Sequence, residues 1–221
     1  MEIINKVQKD VMTIFSRVSG REHFYLTGGT SLAYFYLRHR KSNDLDFFTA
    51  DEDIITPFSH QLEQALKNQK MDTRRQRGID SFVELLVNSA GQTTIVHLAY
   101  DAGFRIEETR VFAEHPGLKV DSLIDIAVNK LLALFGRATL RDFIDVYFLV
   151  KEAGFTPDDL ITKAKIKDPG FDLYWLAVAL ERINSFKKDS SEMLLLVKPV
   201  DFKEMVGFFN IWRMDIAKKL L

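Results

Sequence analysis

The 221-residue sequence contains no cysteine. Disulfides, thiolate metal sites and cysteine nucleophiles are therefore excluded. Charge of one sign is also missing in excess, because 30 Lys and Arg stand against 31 Asp and Glu and leave a net −1. That balance argues against binding nucleic acid by bulk charge and leaves only a local basic patch for the purpose. No uninterrupted apolar run approaches the ~20 residues that a membrane span needs. The first residues mix Lys6, Lys9 and Asp10 with apolar ones, unlike a secretory signal. The expected setting is the cytoplasm, with no membrane partner. Repeats and low-complexity tracts are absent too. Apolar residues make up 47% and charged residues 28%, the balance of an ordinary globular protein. The length suffices for one large domain or two small ones.

One stretch concentrates the chemistry: FYLTGGTSLAYFYLRHRKSNDLDFFT, from Phe24 to Thr49. Phe24 to Thr27 is β-prone, and Gly28-Gly29 punctuates it. Thr30 or Ser31 then stands as the N-cap of a helix carrying Leu32, Tyr34, Phe35 and Leu37. A second strand carries Asp44 and Asp46, and alternation sets both on one face with Leu45 on the other. Their backbones lie roughly 6.5–7 Å apart, so the carboxylates can converge on one divalent cation. Free N–H groups where a helix follows a Gly-Gly turn favour phosphate oxygens. Each half has a bland reading, a tight turn and a solvated strand face. Neighbouring carboxylates repel without a cation, however, and the two halves together point to metal-assisted phosphoryl or nucleotidyl transfer.

GGT, a helix and NDLDFF in succession resemble the opening motif of the DNA-polymerase-β-like nucleotidyltransferase superfamily. Within it, the chain is similar to the AbiEii/AbiGii toxin family, nucleotidyltransferases of toxin–antitoxin pairs. A second stretch, IAVNKLLALFGRATLRDFIDVYFL from Ile126 to Leu149, resembles that family's helical signature of a lysine and then an Arg-Asp pair. The resemblance implies an α+β fold, with a mixed-sheet nucleotidyltransferase core and flanking helices over 1–117 and a helical domain over 118–221. It implies transfer of a nucleoside monophosphate from an NTP to an acceptor, RNA or a tRNA end, and a cognate antitoxin as protein partner. The catalytic candidates are Asp44, Asp46, Lys130 and Asp142, with Asp145 behind Asp142. Gly28, Gly29, Thr30, Ser31 and Lys130 are the nucleotide-binding candidates. Magnesium is the expected cofactor, with manganese as the alternative.

Relatives in the superfamily often carry a third carboxylate on a later strand, and TIVHLAYD sets His97 in that place. His97 joins Asp44 and Asp46 as a metal candidate, although imidazole suits manganese or zinc better than magnesium. Glu84 on the neighbouring strand is a substitute, and a histidine that only satisfies hydrogen bonds is an equal reading. The alternative function is thus a weakened nucleotidyltransferase-fold protein that binds NTP or answers to a partner. Lys130 lies among apolar neighbours, so it snorkels, pairs with Asp125 or an acid on the next helix, or meets a triphosphate. Arg141 and Asp145 are spaced for an i,i+4 pair. Two basic runs, Arg38-His39-Arg40-Lys41 and Lys70 with Arg74, Arg75 and Arg77, read as solvated faces or as steering for a polyanion.

Elsewhere the patterning predicts a helix over 2–18 and another opened by Thr56-Pro57 to about Gln69. Residues 71–77 read as an edge strand or loop, and 81–87 with 93–100 as a hairpin around NSAGQ. Asp101 to Gly117, with Gly103, is irregular. Helices follow, capped by Asp121 or Ser122, by Thr139 and by Thr156, then one near 171–184 and a last from about Asp201.

Overall fold

The computed structural model describes residues 2–101 and 104–220, so Gly103 lies outside the described residues. The chain forms two compact units. One holds Met1–Tyr36 with Lys41–Leu123, and the other Leu37–Arg40 with Ile124–Leu221.

In the first unit, β1 (Phe24–Thr27), β2 (Asp44–Thr49), β3 (Asp72–Ile79), β4 (Phe82–Ser89), β5 (Gln92–Tyr100), β6 (Arg110–Val111) and β7 (Lys119–Val120) form one mixed sheet, ordered β3-β4-β5-β2-β1-β7-β6. β2 runs antiparallel to β1 and parallel to β5. Helices α1 (Lys6–Phe15) and α3 (Ile55–Asn68) supply the apolar cover. Phe15 stacks on Phe47 with centroids 3.8 Å apart, and Phe58 packs against Phe24 at 4.5 Å. Leu45 and Phe47 are fully buried in this cluster. Burial of such side chains stabilises by about 1.5–3 kcal/mol each. A one-residue slip of β2 would expose both, so the register that keeps Asp44 and Asp46 on the opposite, partly open face is fixed by the core.

Local chemistry sets most boundaries. Asn5 and Gln8 form a reciprocal cap that starts α1 at Lys6, which makes it shorter than the periodicity over 2–18 predicts. The hairpin forms as expected, turning at Ala90-Gly91, and the polar 71–77 run joins an edge strand from Asp72 onward. Lys119 and Val120 join the sheet beside β1, so residues 118–123 belong to the first unit.

The second unit is helical: α4 (Leu123–Arg137), which enters from the first unit, α5 (Leu140–Glu152), α6 (Pro157–Lys167), α7 (Leu173–Glu181) and α8 (Phe202–Lys219). Thr139, Thr156 and Asp201 stand at the N-caps of α5, α6 and α8, with Pro157 at the first helical position of α6. The chain's two tryptophans both lie here, Trp212 buried and Trp175 59% exposed. Among the described residues, no helix is long and apolar enough to cross a membrane.

Candidate active site

The turn after β1 shapes the first half of the site. Gly28 takes φ +74°, and a Cβ there would lie 2.2 Å from Asp46 Oδ2. Glycine is thus required twice, by the left-handed backbone and by the close approach of a carboxylate. Because the chain turns at Gly28, α2 (Gly28–Ser31) starts before the expected cap and runs on as a π-helical segment, Leu32–Leu37. Thr30 and Ser31 consequently sit inside the first turn and are not caps. The Thr30 hydroxyl donates to the Asp44 carbonyl, tying the turn to β2. Ser31 is fully buried, and its Oγ has no hydrogen-bond partner among the described residues.

Asp44 and Asp46 share the open face of β2, both half-buried. Asp46 Oδ1 lies 2.8 Å from His97 Nδ1, and His97 Nε2 lies 3.2 Å from Glu84 Oε2. Strand register builds this row, pairing Asp46 with His97 and His97 with Glu84. The hydrogen bond to Asp46 raises the His97 pKa above the ordinary 6.5, against the effect of burial. With a carboxylate at each ring nitrogen, the imidazolium is the form that satisfies both contacts. In that form neither nitrogen offers a lone pair to a cation. Glu84, the sequence substitute for a third acid, reaches Asp46 through the ring.

Among the described residues, no group of three or more His, Asp or Glu side chains is arranged to hold a metal ion. The Asp44–Asp46 pair nonetheless fits magnesium, which is commonly bound through one or two carboxylates, with substrate phosphates and waters completing its shell.

The helical signature occupies the second unit. Asp145 is fully buried and accepts from Arg40 Nε at 2.6 Å, Lys130 Nζ at 2.7 Å and His39 Nε2 at 2.7 Å. Burial pushes its carboxyl up, but Arg40 and Lys130 outweigh this and hold it well below the usual carboxylate range. Burial pushes the His39 pKa down in spite of the bond to Asp145. Its Nδ1 has no partner among the described residues, which fits a neutral ring donating from Nε2. The run 38–41 is therefore a solvated basic face only at Arg38 and Lys41, which are exposed, whereas His39 and Arg40 are buried. Nor does Asp145 pair with Arg141, which is exposed. Long-range cations pull the carboxylate inward instead. Lys130 finds its acid on the next helix, and Asp125 pairs with Lys167 at 2.9 Å.

Asp142 is buried and closes the cap of α5. It accepts from Thr139 N at 3.1 Å, Thr139 Oγ1 at 2.6 Å and Arg137 Nε at 2.9 Å. Burial pushes its carboxyl up, yet the bonds from Arg137 and Thr139 leave it lowered overall. Its oxygens are engaged in starting the helix.

Known proteins align with this architecture along nearly the whole chain. A curated relative, an uncharacterised protein of Aquifex aeolicus, is 27% identical over 217 residues, covering 95% of this chain and 96% of its own. A Helicobacter pylori protein described as a candidate nucleotidyltransferase superposes with TM-score 0.63 at 21% identity, covering 97% of this chain and 93% of its own. MenT4, a nucleotidyltransferase toxin of Mycobacterium tuberculosis, superposes with TM-score 0.58 at 17% identity, covering 95% and 82%. At such identities these two structures speak for the fold alone. The family model described as nucleotidyl transferase AbiEii toxin, type IV toxin–antitoxin system, matches residues 10–209. That match runs from α1 into α8 and takes in both the Gly28–Asp46 turn and the Lys130–Asp145 helices, so the chain belongs to the AbiEii toxin family and is a nucleotidyltransferase.

Proposed function

We propose that the enzyme moves a nucleoside monophosphate from an NTP to an RNA acceptor, such as a tRNA end, with a divalent metal ion. The observation that carries this reading is the Asp44–Asp46 pair on one open strand face, with the Asp46 carboxylate lying directly against Gly28. Asp44 and Asp46 would hold the ion, magnesium or else manganese. When bound, it would supply charge neutralisation for the triphosphate. Gly28 and Gly29 let phosphate oxygens approach the backbone, and Thr30 fixes that turn against β2. The buried, unpartnered Ser31 hydroxyl is a donor in reserve for a phosphate oxygen. His97, braced by Glu84, holds the Asp46 carboxylate in one orientation. Lys130, by resemblance to the family's lysine, neutralises charge as pyrophosphate leaves. Asp142 contributes by setting the start of α5. Toxin-family membership supports a cognate antitoxin as partner and action in the cytoplasm.

Incubation with each labelled NTP and total cellular RNA, in magnesium, manganese or EDTA, tests the reading. Label should enter RNA with metal and not with EDTA. Label found only on protein, or transfer unaffected by EDTA, would overturn it. The second reading, a weakened NTP-binding protein, is favoured by His97 in place of a third carboxylate. Calorimetric NTP binding without any transfer would establish it.

A further inference from the structure

We propose that the RNA acceptor lies as a single strand across the open sheet face of the first unit. Arg74 and Arg77 at the β3 edge hold its phosphates, and Phe82 takes a base. The proposal rests on the RNA-acceptor reading above and names the surface that serves it. In a regular strand, Arg75 and Arg77 would share a face and Arg74 would point the other way. The β3–β4 register shifts between Arg75 and Arg77, and the irregularity re-aims the second arginine. Arg75 stands opposite buried Leu85, and its guanidinium donates to Glu63 at 2.6 Å and Ser59 at 2.7 Å on α3. Arg74 stands opposite Leu86 and Arg77 opposite Glu84, on the face that carries the acids.

Two lateral rows of residues result. Arg77, Glu84, His97 and Asp46 are successive register partners, and so are Arg74, Leu86, Ile95 and Asp44. Each row begins at an exposed arginine and ends, three strand spacings or roughly 14 Å away, at one of the two aspartates. Arg77 is exposed, and Arg74 makes a surface pair with Asp72 at 3.2 Å, a contact of little worth. Between the ends, Phe82, Leu86 and Ile95 are partly exposed, and the Phe82 ring lies 5.4 Å from that of His97. Cations, then a strip of Phe82, Leu86 and Ile95 in which the one carboxylate, Glu84, is held by His97, then the two aspartates match a single strand's phosphates, bases and reacting terminus in turn. This local patch answers the objection from the net charge of −1.

The test is fluorescence anisotropy of the full chain with a fluorescein-labelled single-stranded RNA of about twelve nucleotides, a length within the usual range for such sites, over a salt series. Arg74→Gln with Arg77→Gln should weaken binding about tenfold or more and make the log–log salt slope shallower by ~0.7 for each arginine lost. Phe82→Leu should weaken it by at least about fivefold, while Arg75→Gln should stay within a factor of about two of wild type because its charge faces the helix. NTP affinity by calorimetry should be unchanged in the arginine variants. If the wild type labels RNA and the double arginine variant keeps the same affinity and salt slope, the surface is wrong while the acceptor reading stands. A wild type that neither binds nor labels RNA overturns both.

Discussion

Two histidine–aspartate pairs of nearly equal length behave in opposite ways. His39 meets Asp145 at 2.7 Å and His97 meets Asp46 at 2.8 Å. Burial lowers the pKa of the first, whereas the hydrogen bond to Asp46 raises that of the second. The difference lies in what surrounds the carboxylate. Asp145 is saturated by two cations inside a sealed cluster, so its histidine is neutral and its charge stabilises the fold. Asp46 has one histidine on one side and is partly exposed on the other. The same side-chain pair is sealed and saturated at Asp145 and partly open at Asp46.

The sharpest test separates the two by readout. Asp44→Asn and Asp46→Asn should each abolish nucleotide transfer while urea unfolding changes by less than about 1 kcal/mol, as befits partly exposed groups. Full transfer in either variant would remove the carboxylate pair from the site. Asp145→Ala should do the reverse. Stranding buried Arg40 and Lys130 costs about 3–5 kcal/mol, and a loss under about 1 kcal/mol would show that the cluster is not what holds the second unit together.

Lys130 tests whether the closed cluster also acts. Lys130→Met removes one of two cations from buried Asp145 and leaves Arg40, so unfolding stability should fall by about 1–3 kcal/mol, less than for Asp145→Ala. If the lysine meets phosphates, transfer should fall by roughly 10²–10³. Kinetics within a factor of about two of wild type, far inside that loss, would make Lys130 scaffold alone.

The smallest effect, and the most direct test of the contrast, is in pH. His39, lowered on folding, contributes stability present above the unfolded value near 6.5 and lost as pH falls toward its folded value. His97, raised on folding, contributes stability present below 6.5 and lost as pH rises through its folded value. In EDTA, between about pH 5 and 8, His39→Gln should flatten the acid-side fall of unfolding stability and His97→Gln the alkaline-side fall. Parallel profiles for the two variants would erase the distinction.

Much of this was legible wherever the signal is local. Strand alternation put Asp44 and Asp46 on one face, and Thr139, Thr156 and Asp201 announced the helices they precede. What the sequence concealed depends on partners far along the chain. Arg40 reads as solvated because its acid lies 105 residues away. The faces of Arg75 and Arg77 turn on a register shift set by β4, and Gly28 reads as a turn until the Asp46 carboxylate is placed against it.

Trp175 and Trp212 both lie in the helical unit, and the sheet unit has neither. Excited at the red edge of indole absorption, the chain emits from its second unit alone, and the sheet unit is optically dark. Tryptophan emission followed beside far-ultraviolet dichroism therefore shows, without any label, whether the two units melt as one: coincident transitions mean a single cooperative event, and separated ones mean two.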